Sequence, residues 1–443
     1  MKNRDFLYLL IGATVFFAAL SYALQLSANA TTAQFVGGDP ESYWAAAKGI
    51  YTEGGKPHPL RPFLYPFLIG LPSFFGASTV NSLWIVLGFN FICWLITITF
   101  IYKILIKLTT PKIALISALI FIVNTSNIIN CWSVLAESLF HCLIIGSVYF
   151  LLKHYTNNKN SLYFSVFITL FCLSFITRST YSPLLLVLIP LFIFTIIKRY
   201  LSIYLITFSL IIFSLTIGFN AYKMHKIYGN WTLSYIGECT IYVFFSAYAK
   251  IASPKKTVQQ MGDDWFVEYQ KRGGEIPRSN DSIPWTSLHA IVINDLKQQW
   301  GDNKTGLLIA FGRDLLSNSV ASNGDVLHLT DFKNQRYFSG LLNSVFWWGR
   351  GLNILNTTAA LLVIPLAFWR FRRHFWQNKR FSFWILSVNV VLSVFTILVS
   401  TVSFTQGDRF HLVVLPLSLV SLGVTFAHIF AHRGRREHRE IQI

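Results

Sequence analysis

Charged side chains are scarce in this sequence. Of its 443 residues, Asp, Glu, Lys and Arg make up 13%, whereas hydrophobic residues make up 53%. Soluble domains carry about 25% charged residues. A soluble core of this size could not bury so much apolar surface. The low charge therefore excludes an ordinary soluble domain and indicates a protein that places much of its surface in lipid.

Cysteine is also rare, with five residues in the whole chain. Cys93, Cys142 and Cys172 fall within apolar runs, Cys131 lies at the edge of one, and Cys239 is alone in a polar segment. No pair has the spacing of metal ligands. This pattern excludes a disulfide framework and a cysteine-based metal site. The alternating apolar segments of a transmembrane β-barrel are missing too.

Long apolar runs are what the sequence has instead. A helix needs roughly 20 apolar residues to cross about 30 Å of hydrocarbon, and in lipid the backbone must form its hydrogen bonds within each segment. We therefore predict an all-α, polytopic transmembrane bundle of about ten spans. The predicted spans are 6–26, 80–102, 113–129, 132–152, 161–177, 183–197, 201–221, 352–369, 381–404 and 410–430.

The distribution of charge predicts the orientation of these spans. With the N-terminus inside, the inner loops and the C-terminal tail carry +15 of the net charge of +18. Such an excess is typical of cytoplasmic loops, so both termini are predicted to be cytoplasmic. The same distribution speaks against nucleic acid as a partner, because the basic residues are accounted for by the membrane.

Three parts follow from this topology. Residues 1–221 form an N-terminal transmembrane module whose first outer loop, 27–79, is long and polar. Residues 222–351 form an extracytoplasmic segment, which we interpret as a small helical domain. Residues 352–443 form a C-terminal transmembrane module with a basic cytoplasmic tail.

Helical patterns are visible in both outer segments. Residues 40–51 are predicted as a short helix at the outer interface, with Asp39 as its cap and an apolar stripe that includes Tyr43 and Ile50. In the second segment, the windows 284–300 and 305–320 are amphipathic.

The strongest candidate site combines Asp39 and Glu41 with Arg61, all predicted near the outer membrane surface. A carboxylate can take a proton from an acceptor, and a guanidinium can hold phosphate oxygens. Transfer from a lipid-phosphate donor needs both. The ordinary alternative is a helix cap, a first-turn acid and an arginine that reaches the interface.

Four further residues are candidates. Glu137 interrupts an apolar run near the outer end of a span, where an ionisable group must face water, a partner or a site. Arg178 lies at a predicted outer turn and could bind phosphate or pair with Glu137. Arg409 and His411 precede the last span and could equally be interfacial anchors. His58, His289 and His328, also outside, could bind a divalent metal, although nothing in their spacing requires one.

Taken in order, these segments resemble the GT-C membrane glycosyltransferases. The most similar branch holds bacterial protein mannosyltransferase-like enzymes and the aminoarabinose transferases of lipid A. The matching segments are Gly38–Tyr43 with Ala45–Ala47, Arg61–Pro66, Ala136–Phe140, Thr177–Thr180, and Asp408–His411 with Pro416. The first two are fairly specific together, and none of them covers residues 222–351.

The resemblance implies a GT-C fold, a polyprenyl-phosphate sugar donor, and inverting transfer at the non-cytoplasmic face of a membrane, here the bacterial inner membrane. Asp39 would then be the catalytic base, with Glu41 as a second catalytic acid. The donor phosphate would be held by Arg61, Arg178 and Arg409, and supporting roles would fall to Tyr43, Tyr65, Glu137 and His411. Some relatives have adjacent acids instead of Asp-Pro-Glu, so the role of Glu41 and the need for a divalent metal stay open.

Other functions remain compatible with the sequence. A transporter or flippase of lipid-linked glycans would place ionisable residues near the bilayer midplane and would contain paired broken helices. A polysaccharide polymerase or ligase of the outer leaflet would also have a large outer loop and arginines. The acceptor, whether lipid, glycan or protein, is not readable from the sequence.

Overall fold

The structure is a computed structural model that describes residues 3–30, 39–157, 161–179, 203–273, 285–320, 339–378, 380–400 and 409–440. Throughout these ranges the secondary structure is helical, without a strand. This agrees with the predicted all-α class.

Helices α1 to α9 make up the N-terminal part. They run Asn3–Ala23, Leu26–Asn29, Asp39–Tyr51, Leu64–Phe74, Thr79–Leu108, Pro111–Ile122, Thr125–Cys131, Glu137–Thr156 and Ser161–Phe175.

Helices α10 to α16 follow. They run Ile203–Phe213, Phe219–Tyr228, Ile236–Cys239, Ser246–Ile251, Val258–Lys271, Leu288–Asp302 and Lys304–Val320. The π-helical stretches Ser214–Gly218 and Thr240–Phe245 join α10 to α11 and α12 to α13.

Helices α17 to α20 complete the chain. They run Ser339–Thr358, Ile364–Asn378, Arg380–Ser400 and Arg409–Glu440, and the π-helical stretch Ala359–Val363 joins α17 to α18. Because α17 runs through residue 351, no helix end marks the boundary predicted there. The division into three domains stays a prediction.

The chain is an integral membrane protein. Within the described residues, five helical segments are long and apolar enough to span a bilayer, and a bent pair raises this to six. The five are Arg4–Ala23, Thr79–Leu108, Glu137–Thr156, Ile203–Tyr228 and Trp347–Arg372. Several predicted spans, such as 161–177, appear as shorter apolar helices, and 183–197 lies outside the described residues. The count of about ten spans therefore stays a prediction.

Two predicted spans differ in shape from the straight helices expected. The span 113–129 is broken, because α6 and α7 meet at 56°. Trp348 Nε1 donates a hydrogen bond to the carbonyl of Val123 at the break (3.0 Å), and all seven residues of α7 are buried. Protein contacts thus replace the lost helical hydrogen bonding, as irregular backbone inside a membrane requires. The span 132–152 begins five residues later than predicted, at Glu137.

Helices α3 and α4 form a tightly packed pair. The predicted helix 40–51 is confirmed as α3, which starts at Asp39. Tyr51 donates a hydrogen bond from its hydroxyl to the carbonyl of Phe67 (2.7 Å), and its ring lies directly against Gly70. A side chain at position 70 would separate the two helices. The close packing fixes the residues of α3 relative to those of α4.

The segment 222–351, called the outer segment after its predicted location, contains the two predicted amphipathic helices, α15 and α16. Leu288 and Val292 of α15 are buried in a core with Trp285 and Tyr235, whereas Trp300 is exposed. A buried ionic cluster joins α14 to α15: Arg272 contacts Glu268 and Asp295, at 2.9 and 2.8 Å. Burial alone raises the pKa of both carboxyls, but hydrogen bonds from the cations beside them outweigh it and lower both values. The segment is therefore packed around its own apolar and ionic core.

Candidate functional site

Asp39 and Arg61 form an ion pair. Asp39 is the first residue of α3, and Arg61 lies in the loop between α3 and α4. The guanidinium also donates from Nε to Ser42 Oγ (2.6 Å), and that hydroxyl donates to the carbonyl of Asp39 (2.7 Å). Arg61 is 7% exposed and Asp39 31%. The structure thus brings together the predicted base and the first predicted phosphate ligand, at the edge of solvent.

The Arg61 guanidinium also lies over an aromatic ring. Its carbon Cζ lies 4.5 Å from the centre of the Tyr43 ring, which meets the Tyr65 ring edge-on at 5.1 Å. Cation–π contact favours the charged guanidinium in a site with little water. The two tyrosines predicted as supporting residues therefore do contact the site, Tyr43 directly and Tyr65 through Tyr43.

Glu41 is placed differently from Asp39. It is exposed on the first turn of α3, whereas the ion pair to Arg61 is made by Asp39. The catalytic role predicted for Glu41 stays a prediction.

Glu137 and Arg178 form a second ion pair, with 2.7 Å between Oε1 and Nη1. The two side chains are 1% and 11% exposed. Glu137 is the first residue of α8 and not part of a span interior, because residues 132–136 form turns, with Leu135 N–H donating to the carbonyl of Ser133 (2.9 Å). Of the alternatives left open by the sequence, the structure shows the pairing of Arg178 with Glu137.

Two bridges connect the two ion pairs. The backbone N–H of Leu64, three residues after Arg61, donates to the carbonyl of Ile176, two residues before Arg178 (3.0 Å). The second bridge runs through Asn90 of α5, which contacts Tyr65 and Ser133. The ion pairs therefore belong to one region of the molecule, although they are far apart in sequence.

Ser42 and Asn90 are site residues that the sequence did not single out. Ser42 lies within the motif Gly38–Tyr43 but has no charge to draw attention to it. Asn90 carries the only clear signal of the two, since it is an amide inside an apolar helix of 30 residues.

A small cavity opens beside Arg61. Its wall is mostly apolar, and the polar side chains that reach it are those of Arg61, His58 and Asn220. Burial, followed by the charges of Arg61 and Lys56, lowers the pKa of His58 to about 3, so the imidazole is neutral. Its Nδ1 accepts a hydrogen bond from the N–H of Leu60 (3.1 Å). The cavity therefore places the guanidinium that pairs with Asp39 beside a mostly apolar wall.

The remaining predicted residues are Arg409 and His411 and the two histidines His289 and His328. Helix α20 begins at Arg409, but the side chains of Arg409 and His411 lie outside the described residues, as does His328. His289 lies 3.7 Å from Glu238 and is 66% exposed. In the part of the chain that the structure describes, no three His, Cys, Asp or Glu side chains come together as a metal site would require. A divalent metal stays a prediction.

Comparison with solved structures finds ArnT from Cupriavidus metallidurans. One match is its crystal structure bound to undecaprenyl phosphate, at 11% identity and a TM-score of 0.37, with 93% of this chain and 78% of ArnT covered. The other is the apo crystal structure, at 12% identity and a TM-score of 0.33, with 92% and 78% covered. No protein-family model and no curated protein matches the chain. Both TM-scores are under 0.5, and the evidence for function lies in the contacts of the site residues.

Proposed function

We propose that this chain is an inverting glycosyltransferase of the GT-C type. It moves a sugar from a polyprenyl-phosphate donor to a lipid, glycan or protein acceptor at the non-cytoplasmic face of the membrane, and we place it in the bacterial inner membrane. The observation that carries the proposal is the Asp39–Arg61 ion pair, partly open to solvent and bridged to the buried Glu137–Arg178 pair.

The two ion pairs suit binding of an anionic donor. In the absence of a ligand, each guanidinium is neutralised by a carboxylate. A donor phosphate competes for these guanidinium groups, because arginine binds phosphate and carboxylate oxygens with the same fork geometry. When the phosphate takes the place of Asp39 at Arg61, the carboxylate of Asp39 is released beside the bound donor.

The carboxylate of Asp39, once released, can take part in the transfer step. The acceptor oxygen attacks the anomeric carbon from the face opposite the phosphate, and Asp39 takes the proton of the acceptor as the new bond forms. The bond between the anomeric carbon and the phosphate oxygen breaks, and its electron pair leaves with the polyprenyl phosphate. Arg61 and Arg178 stabilise the growing negative charge on that phosphate. Attack from the opposite face inverts the configuration.

One observation favours a second candidate, a transporter of lipid-linked glycans. The break between α6 and α7 resembles the discontinuous helices of secondary transporters. Such transporters use a pair of broken helices, whereas α6–α7 is the single bent pair in the described ranges. Glu137 and Arg178 are also at helix ends and not in the middle of a span.

A bond-cleavage assay separates the two candidates. The protein is reconstituted into vesicles that contain mannosyl-phosphoundecaprenol or its glucosyl counterpart, together with a mixture of bacterial lipid and glycan acceptors. A transferase releases undecaprenyl phosphate, which thin-layer chromatography separates from the donor. A transporter moves the labelled donor between leaflets with the sugar–phosphate bond intact, and that result would contradict the proposal.

A further inference from the structure

Asn90 lies at the centre of the bridge between the two ion pairs. It belongs to α5 and is fully buried. An amide inside an apolar helix is costly unless both of its polar ends find partners. Here both do: Oδ1 accepts from the hydroxyl of Tyr65 (3.3 Å), and Nδ2 donates to the carbonyl of Ser133 (2.9 Å).

The Tyr65 end of the bridge leads to the first ion pair. The Tyr65 ring meets the edge of Tyr43, and Tyr43 lies against the Arg61 guanidinium that binds Asp39. The hydrogen bond to Asn90 fixes where the Tyr65 ring sits. Through these contacts it also limits where the Arg61 guanidinium can lie.

The Ser133 end leads to the second ion pair. Ser133 lies in the turn that precedes α8, four residues before Glu137. The Cys131 Sγ also contacts the carbonyl of Asn90 (3.8 Å) and lies 3.5 Å from Ser138 Oγ in the first turn of α8. Asn90 therefore contacts this turn and the residue just before it through two groups, its side-chain amide and its backbone carbonyl. The position of this turn sets the position of Glu137, the first residue of α8, and so of its partner Arg178.

We propose that Asn90 is a positioning residue that sets the distance between the Asp39–Arg61 and Glu137–Arg178 pairs. The inference rests on the proposed transferase function, in which both arginines contact one donor phosphate while Asp39 faces the acceptor. Asn90 touches neither the donor nor the acceptor. It acts by keeping the two ion pairs, which are distant in sequence, in a fixed relative position. This matters because a misplacement of about 1 Å can cost on the order of 100-fold in rate.

A matched control exists in the C-terminal part of the chain. Asn389 of α19 is also fully buried in an apolar helix, and its Oδ1 accepts from Ser418 Oγ of α20 (3.3 Å). Its contact joins two helices without leading to an ion pair of the site. Asn90→Leu and Asn389→Leu thus remove the same amide from equally buried helical positions.

The test measures kcat and KM for release of undecaprenyl phosphate from the glycosyl donor, together with the melting temperature. Asn90→Leu is expected to lower kcat on the order of 100-fold, with a much smaller change in the donor KM. Asn389→Leu is expected to leave kcat per folded molecule within about threefold of wild type, and because its Nδ2 is a buried donor without a hydrogen-bond partner among the described residues, its melting temperature should change little. Tyr65→Phe removes one of the two bonds and gives a smaller loss, and its combination with Asn90→Leu gives less than the product of the single effects.

A second variant keeps the proposal testable if Asn90→Leu does not fold. Asn90→Asp keeps an acceptor for Tyr65 and, when its acid is neutral, a donor for Ser133. Its rate relative to wild type is therefore expected to recover at low pH and to fall as the pH rises.

The outcomes are distinct. Equal losses of kcat in Asn90→Leu and Asn389→Leu, or a rate of Asn90→Asp that rises with pH relative to wild type, would overturn the positioning role while leaving the transferase intact. If the wild-type protein releases no undecaprenyl phosphate from any donor, the proposed function itself fails, and the positioning role fails with it.

Discussion

The contacts of the Arg61 guanidinium depend on its planar shape as well as on its charge. Nε donates to Ser42, the Nη2 end pairs with Asp39, and Cζ lies 4.5 Å from the centre of the Tyr43 ring. Arg61→Lys keeps the positive charge but offers one compact ammonium in place of the planar fork. It can therefore replace one of these contacts and not all three.

The expected loss follows from the contacts that lysine cannot make. A hydrogen bond from a charged group contributes about 1.5–3 kcal/mol, and a cation–π contact about 0.5–2 kcal/mol. Because part of the cation–π contact survives with an ammonium, we expect a loss of about 2–4 kcal/mol in transition-state stabilisation, which is roughly a 30- to 1,000-fold lower kcat/KM.

The assay is release of undecaprenyl phosphate from the glycosyl donor, measured as kcat/KM. Arg313→Lys is the matched control, because the Arg313 guanidinium also stacks on a tyrosine, with its Cζ 4.1 Å from the centre of the Tyr248 ring, but lies on α16 in the outer segment. We expect that control to stay within about threefold of wild type. A kcat/KM for Arg61→Lys that also stays within threefold, or equal losses in both variants, would refute the role given to the fork.

Three further predictions concern stability and pH. Replacing Arg272 by Met leaves Asp295 without its cation, whereas Glu268 keeps Lys250 at 2.9 Å. This should destabilise the segment 222–351 by about 3 kcal/mol, whereas Lys256→Ala, at an exposed pair, should cost less than about 1 kcal/mol. Similar melting temperatures for the two variants would contradict this. Because the pKa of His58 is lowered from 6.5 to about 3, the unfolded chain binds more protons between these values, and stability falls as the pH drops through this window, by about 2 kcal/mol at pH 5. His58→Gln should remove that part of the pH dependence, and an unchanged slope would show that His58 is not its source. Gly70→Ala forces a methyl group against the Tyr51 ring and should destabilise by about 1–3 kcal/mol, whereas Gly88→Ala, which meets open space, should be neutral or slightly stabilising; equal melting temperatures would contradict the tight packing of α3 on α4.

Local signals were sufficient to predict the helix that carries the candidate base. Asp39 at its start, and an apolar stripe that includes Tyr43 and Ile50, place α3 at 39–51, one residue from the predicted range. These signals depend only on neighbouring residues. The same holds for the amphipathic windows that became α15 and α16.

Features that depend on distant contacts were harder to predict. The break after Ile122 is marked by neither Pro nor Gly, and the hydrogen bond that satisfies it comes from Trp348, more than 200 residues away. The late start of α8 at Glu137 has the same cause, since the preceding turn is held by Asn90. The polar residues Asn124–Asn127 do mark the first break locally, but hydropathy averaged over a whole span does not register them.

The candidate site also has features that local signals predict and features that depend on distant contacts. Charges in an apolar sequence identified Asp39, Arg61, Glu137 and Arg178, since each is costly without a partner or a ligand. Which acid would pair with which arginine, and that Ser42 would join them, depends on how the loop before α4 folds back on α3. No periodicity in the sequence encodes that return.

The most direct test of the proposed function is sugar transfer by Asp39→Asn, with Asp263→Asn, an exposed acid of α14, as the control. Loss of a general base typically costs about 100- to 10,000-fold in rate. We predict a loss of that size in Asp39→Asn, with the protein still folded and inserted into the membrane, and no loss in the control. Full transferase activity in Asp39→Asn would contradict its assignment as the base and would favour an enzyme that needs no acid in the first outer loop, such as a polysaccharide polymerase or ligase.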